Sequence, residues 1–339
     1  MNVKRIAIGV ALGIIALGGI YMRGGLSSSD KNSIVLTPVT LNLKWLHQAQ
    51  FAGNYVAKDK GFYEKVGLAV DIKPFSFEQP TISAVVDGKA DFGITGADEL
   101  IIARSKGAPI KAVAVIYKIN PVVAYSLKKN NITKPQDFIG KTVGIERAAD
   151  GSEVNVGILY ATMLNKLGID KKKINEVTIG YDATELLNGT TDVSTGYVIN
   201  EPQLVVEAGQ EVNTILMANY GANMYADVLF VREDTIQKNP ATVQKFVEAT
   251  IEGWKYAIEN ESETVDIVLA YALKSTKSHE SYMLHSSIPL INTGDTSIGW
   301  MEQTKWEQVQ DTLSEQKIIT NKSDVSSAYT MEFLNAIYK

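Results

Sequence analysis

"KWLHQAQFAGNYVAKDKGFYEKVGLAVDI", residues 44–72, sets Trp45, His47, Gln48, Gln50 and Phe51 close together and then continues as an amphipathic helix and a strand. The preceding "TLNLKW" (40–45) reads as a strand, so the whole is strand, polar loop, helix, strand: one βαβ unit. The loop leaves the C-terminal end of its strand, which is where open α/β sheets bind ligands.

The same alternation runs on in both directions. "TISAVVDGK" (81–89) and "ADELIIARSKG" (97–107) read as helices, and "ADFGIT" (90–95) and "IKAVAVIY" (110–117) as strands. After Pro121 the pattern restarts with "VVAYSLKK" (122–129), "KTVGIE" (141–146), "EVNVGILYATMLNKLG" (153–168), "EVTIGY" (176–181), "ATELLNG" (183–189) and "DVSTGYVI" (192–199). From "DVLFVRED" (227–234) onward helix follows helix, over 240–260, 263–275 and 301–316. Those helices have no sheet of their own and are expected to pack back on the first unit. The reading is an α/β protein of two lobes joined by two linking strands: lobe 1 from 36–121 and 228–339, lobe 2 from 122–227. A cleft between lobes is a favoured place for a small ligand.

Residues 1–35 stand apart. Lys4 and Arg5 precede an uncharged apolar run from Ile6 to Met22, followed by the spacer "GGLSSSDKNS". The run is short for about 30 Å of hydrocarbon and carries helix-weakening glycines, and it reads equally as a cleaved export signal or an uncleaved anchor. Either way the basic end stays inside and the remaining chain is exported, periplasmic or on the outer face of the cytoplasmic membrane. The absence of cysteine excludes a lipid-modified cysteine, disulfides and thiolate chemistry. A net charge of −5 without long basic runs argues against nucleic acid. Three scattered histidines give no metal-site pattern.

The segments "AGNYVAKDKGFYEKVGLAVDI" (52–72), "DGKADFGIT" (87–95), "GYVINEP" (196–202), residues 225–260 and "GWMEQTKWEQVQDTL" (299–313) occur in the order, and over nearly the full length after residue 35, that resembles the substrate-binding proteins of ABC importers for nitrate, sulfonates, taurine and thiamine-pyrimidine precursors. That resemblance implies the type II periplasmic-binding-protein fold, closure of two lobes on a small ligand, and delivery to an ABC permease without cofactor or catalysis. A relative within the same family, the yeast-type thiamine-pyrimidine synthase, resembles "DFGITGADELIIARSKG" (91–107), but its cofactor lysine and consumed histidine fall on Thr95 and Glu99 here, and its cysteine-rich iron motif on "ANMYA" (222–226). Without the amine no Schiff base forms. Tethered modules of this kind also serve as extracytoplasmic sensors.

Ligand-binding candidates follow from strand ends. Trp45 and Tyr55 offer flat faces, and His47, Gln48 and Gln50 offer donors and acceptors, with Phe51 and Tyr55 weighing toward core. In "TGADEL" (95–100), Thr95 and the backbone of Gly96 and Ala97 are candidate ligand contacts, and Asp98 and Glu99 suit a helix N-terminus; an acid facing the cleft, Glu99 being the candidate, would disfavour an anion and suit a heterocycle bearing N–H donors. In "ERAADGSEVN" (146–155), Ser152 and Glu153 form a polar rim, with Arg147 as a candidate anion partner. Tyr197 and Glu201 end a second-lobe strand, with Pro202 biasing Glu201 toward extended geometry, and Asp182 reads as a helix cap. Phe246, Trp254, Tyr256, Trp300 and Trp306 read as packing residues, and "KKK" (171–173) as a solvated loop.

Overall fold

The computed structural model describes residues 35–147 and 155–339. Among these residues ten strands form two five-stranded sheets: β1 (Thr37–Asn42), β2 (Leu68–Lys73), β3 (Phe92–Thr95), β4 (Ile110–Tyr117), β5 (Val122–Leu127), β6 (Thr142–Glu146), β7 (Asn175–Ile179), β8 (Val193–Tyr197), β9 (Val212–Leu216) and β10 (Ala226–Arg232). The first sheet has the order β2-β1-β3-β10-β4 and the second β7-β6-β8-β5-β9. In the first, β1 runs parallel to β2 and β3, while β10 runs antiparallel to β3 and β4. The second repeats the plan, with β6 parallel to β7 and β8, and β5 antiparallel to β8 and β9. The two-sheet α/β architecture read from the sequence is therefore present.

Strand composition follows position. The edge strand β2, Leu-Ala-Val-Asp-Ile-Lys, alternates buried and exposed because one face meets the core. β5 is buried along its whole length, which is why it reads as a near-continuous apolar run. The helix Ala52–Asp59 crosses the long helix Pro240–Glu259 at Gly53 and Gly253. A Cβ on Gly253 would lie 2.1 Å from the Gly53 carbonyl oxygen, and one on Gly53 would enter the Trp254 ring, so only hydrogen permits this approach. Phe246, Trp254 and Trp306 are buried as expected, and so are Phe51 and Tyr55, which belong to the core.

The chain passes between the sheets twice, through residues 118–121 and 221–225, and the two passages are tied: the Asn120 N–H donates to Asn223 Oδ1 at 2.9 Å. Asp227, at the start of β10, holds φ +49, a left-handed conformation that non-glycine residues adopt at a cost.

Several local expectations need correction. β1 ends at Asn42, not Trp45, and residues 43–48 form a loop before the 3-10 turn Ala49–Phe51. Glu201 is not extended: it begins the helix Glu201–Glu207, with Pro202 in the first turn, where no backbone donor is required. The helices Lys277–Ile291 and Glu332–Ile337 and the strand β9 were not anticipated; the first carries Pro289 inside it. Among the described residues no helix is long and apolar enough to cross a membrane, and the signal-or-anchor segment lies outside them.

Candidate functional site

The segment after β1 places two polar side chains, Lys44 and Gln50, against Asp227 at the start of β10, with Gln48 behind Gln50. Gln48 Nε2 donates to Gln50 Oε1 at 2.7 Å, and Gln50 Nε2 lies 2.9 Å from both carboxylate oxygens of Asp227. Lys44 Nζ lies 3.7 Å from Asp227 Oδ1 and reaches across to the second sheet, where it donates to the Tyr197 hydroxyl at 3.4 Å. Tyr197 donates in turn to Asn155 Oδ1 at 3.5 Å, and Asn155 Nδ2 donates to Asp98 Oδ2 at 3.0 Å, back on the first-sheet side. A continuous polar string thus runs from Asp227 across to Asn155 and returns at Asp98. Asp98 and Asp227 are essentially inaccessible, and Asp98 Oδ1 has no hydrogen-bond partner among the described residues.

The electrostatics are those of a dry site. Burial pulls the Lys44 ammonium down, but Tyr197, Asp227, Glu99 and Asp98 around it more than compensate and hold its pKa well above the ordinary lysine value. Burial lifts the Asp227 carboxyl to about 6 although Lys44 and Gln50 pull it down. Both partners of this ion pair therefore rise: one ammonium is shared among several carboxylates, and each carboxylate receives only part of it. Burial also raises Asp98, and it raises Glu146 and Glu201, which disfavour each other's charge.

Beside the string, Trp45 lies half-buried against Phe75, with ring centroids 6.2 Å apart and planes at 22°, and against Tyr181 of the second half at 5.0 Å and 60°. Its indole thus stands where the two halves meet. On the other side of the loop a cavity of about 490 Å³ opens, bordered by Leu46, His47, Gln48, Pro74 and residues 271–276 on one wall and by Leu204 and Glu207 on the other. A clasp closes its far end: His279 presents Nε2 to Asn200 Oδ1 at 2.9 Å and Nδ1 to Glu207 Oε1 at 3.3 Å, and the Tyr282 hydroxyl donates to the Val198 carbonyl at 2.9 Å.

The candidates from sequence divide accordingly. His47 and Gln48 line the cavity, Trp45 the meeting edge, and Tyr197 the polar string. Thr95 and Glu99 are joined to each other, Thr95 Oγ1 donating to Glu99 Oε2 at 2.5 Å and the Gly96 N–H donating to the same oxygen at 2.9 Å. Glu201 turns inward and accepts from the Tyr197 N–H at 2.6 Å and from Asn200 Nδ2 at 2.6 Å. Ser152 and Glu153 lie outside the described residues. Arg147 is engaged by Glu176 at 2.9 Å, and Asp182 accepts from the Thr184 N–H at 2.8 Å, although the N-cap position of that helix belongs to Ala183 and not to Asp182. Sequence reading passed over Lys44, Asn155 and Asp227; their common signal is a polar residue flanking an apolar run at a strand end or helix start. Gln50, seen in the sequence as a donor and acceptor for a ligand, is instead engaged by Asp227. Among the described residues no group of three or more His, Asp or Glu side chains is placed to hold a metal ion.

Set against known proteins, the chain is 27% identical to the riboflavin-binding protein RibY of Chloroflexus aurantiacus over 88% of this chain and 86% of that protein. It is 22% identical to the formylaminopyrimidine-binding protein of Halalkalibacterium halodurans over 87% of this chain and 90% of that one. Among solved structures, the periplasmic aliphatic sulphonate binding protein SsuA of Escherichia coli superposes with a TM-score of 0.71 at 16% identity, covering 88% of this chain and 98% of that one. This likeness establishes the periplasmic-binding-protein fold. Residues 48–264 match the family described as NMT1/THI5 like, and the chain belongs to that family.

Proposed function

We propose that this protein is the extracytoplasmic substrate-binding component of an ABC importer, taking a small heteroaromatic nutrient between its two lobes by closure and passing it to a permease. In this reading the lobes are 36–121 with 228–339 and 122–227, a division within two residues of that between the sheets, since β10 begins at Ala226, paired with Tyr117. The observation that carries the reading is the polar string from Asp227 through Lys44, Tyr197 and Asn155 to Asp98. It brings donors and acceptors from both halves to one point beside the Trp45 face. A ligand entering there exchanges these protein contacts for its own, so binding and closure are one event. The surplus of buried carboxyls favours a ligand that presents N–H donors.

The binding role is also supported by the relatives, which are named for what they bind. Chemistry through an amine nucleophile has little support: Lys44 is held as an ammonium, the reverse of what such a nucleophile needs, and Thr95 and Glu99 occupy each other. Thermal-shift screening with a flavin, a 4-aminopyrimidine and an alkanesulfonate tests the proposal. A ligand at about 100 times its dissociation constant stabilises by about 2.7 kcal/mol. Trp45→Ala should weaken that ligand by at least roughly ten-fold with the fold intact, since stacking and apolar contact are both lost. A mutant that loses about 3–5 kcal/mol of stability yet binds normally would make Trp45 a core residue and sink its assignment.

A further inference from the structure

Two carboxyls meet at the end of the second sheet that carries Tyr197. Between β6 and β8, Val143 pairs with Val193 and Gly144 with Ser194, so the same register carried to the end of β6 sets Glu146 beside Gly196, both on one face of the sheet. Gly196 has no side chain to fill that face, and Glu201 folds into the space: a Cβ on Gly196 would lie 2.6 Å from Glu201 Oε2. Glu146 and Glu201 are therefore neighbours, and both are nearly dry, at 7% and 6% exposure.

Their surroundings are unequal. Glu201 accepts from the Tyr197 N–H and from Asn200 Nδ2, and Asn200 is itself held by His279. Among the described residues the Glu146 carboxyl has no hydrogen-bond partner. Tyr125 from β5 and Tyr181 after β7 also face the pair, Asp182 stands near Glu201, and the Arg147 guanidinium next along the chain is engaged by Glu176. Two adjacent carboxylates with no cation between them do not both ionise out of water. The proton rests on Glu146, because Glu201 has donors to hold its charge. Desolvation, and then the charge of Glu201, push the Glu146 carboxyl well above the ordinary carboxylate range.

A carboxyl kept neutral differs from a carboxylate in what it binds: its O–H donates while its C=O accepts, side by side. It is complementary to a ligand edge that sets an acceptor beside a donor, as in a cis amide, an imide, or an amino group next to a ring nitrogen, and it closes two parallel hydrogen bonds on such an edge. Its place suits the cleft, since Tyr181, which faces Glu146, also packs on Trp45 at 5.0 Å. We propose that Glu146 is a ligand-binding residue of the second sheet, a neutral carboxylic acid that reads a donor–acceptor edge of the molecule laid against Trp45. The inference rests on the cleft reading above and adds to it the chemistry of one ligand edge. A buried acid without a partner costs stability in the free protein, and the ligand supplies the partner.

The test has two arms. Without ligand, urea midpoints of the full chain and of Glu146→Gln are compared at pH 5 and pH 8. A carboxyl whose proton the fold retains stabilises below the pKa of the unfolded chain and loses that contribution as pH rises toward the folded one. Glutamine has no such proton, so the variant should gain on the wild type as pH rises; parallel behaviour overturns the neutral acid. With ligand, the probes are a flavin and a 4-aminopyrimidine, which carry the edge, and an alkanesulfonate, which does not. Glu146→Leu should weaken the better-bound of the first two by at least roughly ten-fold, while Glu146→Gln, whose amide also sets a donor beside an acceptor, rescues it to within about three-fold. Circular dichroism melts report the fold of each variant. Binding that falls with Trp45→Ala yet is unchanged in Glu146→Leu overturns the assignment and leaves the cleft reading standing, as does preference for the sulfonate. Failure of all three probes to bind removes both.

Discussion

Lys44→Met is the most informative single perturbation, because it isolates a charge pair that the fold has taken out of water. Lys44 Nζ and Asp227 Oδ1 are 3.7 Å apart, the Lys44 side chain is 14% exposed, and Asp227 is 1% exposed. At that separation an effective dielectric of about 20 gives an attraction of about 4–5 kcal/mol, from which the desolvation of both groups must be subtracted. Removing the ammonium alone forgoes the attraction and keeps the carboxylate's desolvation, so the expected loss of stability at pH 7 is about 3–5 kcal/mol. The loss should shrink at pH 5. Asp227 already titrates at about 6 with Lys44 present and moves higher without it, so a proton then neutralises the carboxyl that the lysine has abandoned. Lys44→Met combined with Asp227→Asn should recover most of the deficit, since asparagine tolerates the left-handed backbone at 227 and no charge is left buried. Urea denaturation of the two single variants and the double at both pH values gives the coupling directly. A Lys44→Met loss under about 1 kcal/mol, or single effects that simply add, would refute the idea that the pair acts as a buried unit.

Acidification of the native protein from pH 7 to pH 5 should raise its stability. Burial holds Asp227 at about 6, against 3.8 in an ordinary chain, so the folded state binds more protons over this window; Asp227 alone contributes about 1.4 kcal/mol, lost again as pH rises through 6. A lower urea midpoint at pH 5 would contradict this. His279→Ala, which removes the contacts to Asn200 and Glu207, should weaken the closed arrangement by about 1–2 kcal/mol and enlarge the ligand-free radius of gyration in solution scattering; an unchanged profile would dismiss the clasp.

The alternation of apolar strands and amphipathic helices made the two-sheet α/β frame legible, because each strand end and helix start carries its own local signal. What stayed hidden depends on pairing across distance. Lys44 between Leu43 and Trp45 looks like a solvated charge until Asp227, far along the chain, and Tyr197, on the other sheet, are brought to it. Glu201 looked free because its partners, the Tyr197 N–H and the Asn200 amide, follow from the helix that starts at Glu201 itself. The helix Lys277–Ile291 escaped notice because Pro289 and its serines weaken the local propensity, and its place is secured by tertiary contacts such as Glu280 accepting from the Ala49 N–H at 2.6 Å. Thr95 and Glu99 were read as ligand contacts, but sequence spacing could not tell that they would satisfy each other.

The hydrogen bond from Asn120 to Asn223 bears on how such a protein is built and rebuilt. The chain leaves the first sheet and comes back to it at two residues that touch, so everything between them is a cassette whose ends abut. Segments with adjoining ends are those most readily inserted, exchanged or permuted without disturbing the host. Residues 121–222 are accordingly a natural unit for grafting: a chimera that takes this stretch from a relative with a different cargo keeps Trp45 and the Lys44–Asp227 pair of the host and imports a new opposing wall. Ligand preference in such proteins can then change by recombination at a single pair of neighbouring asparagines, with no need to re-evolve the remaining scaffold.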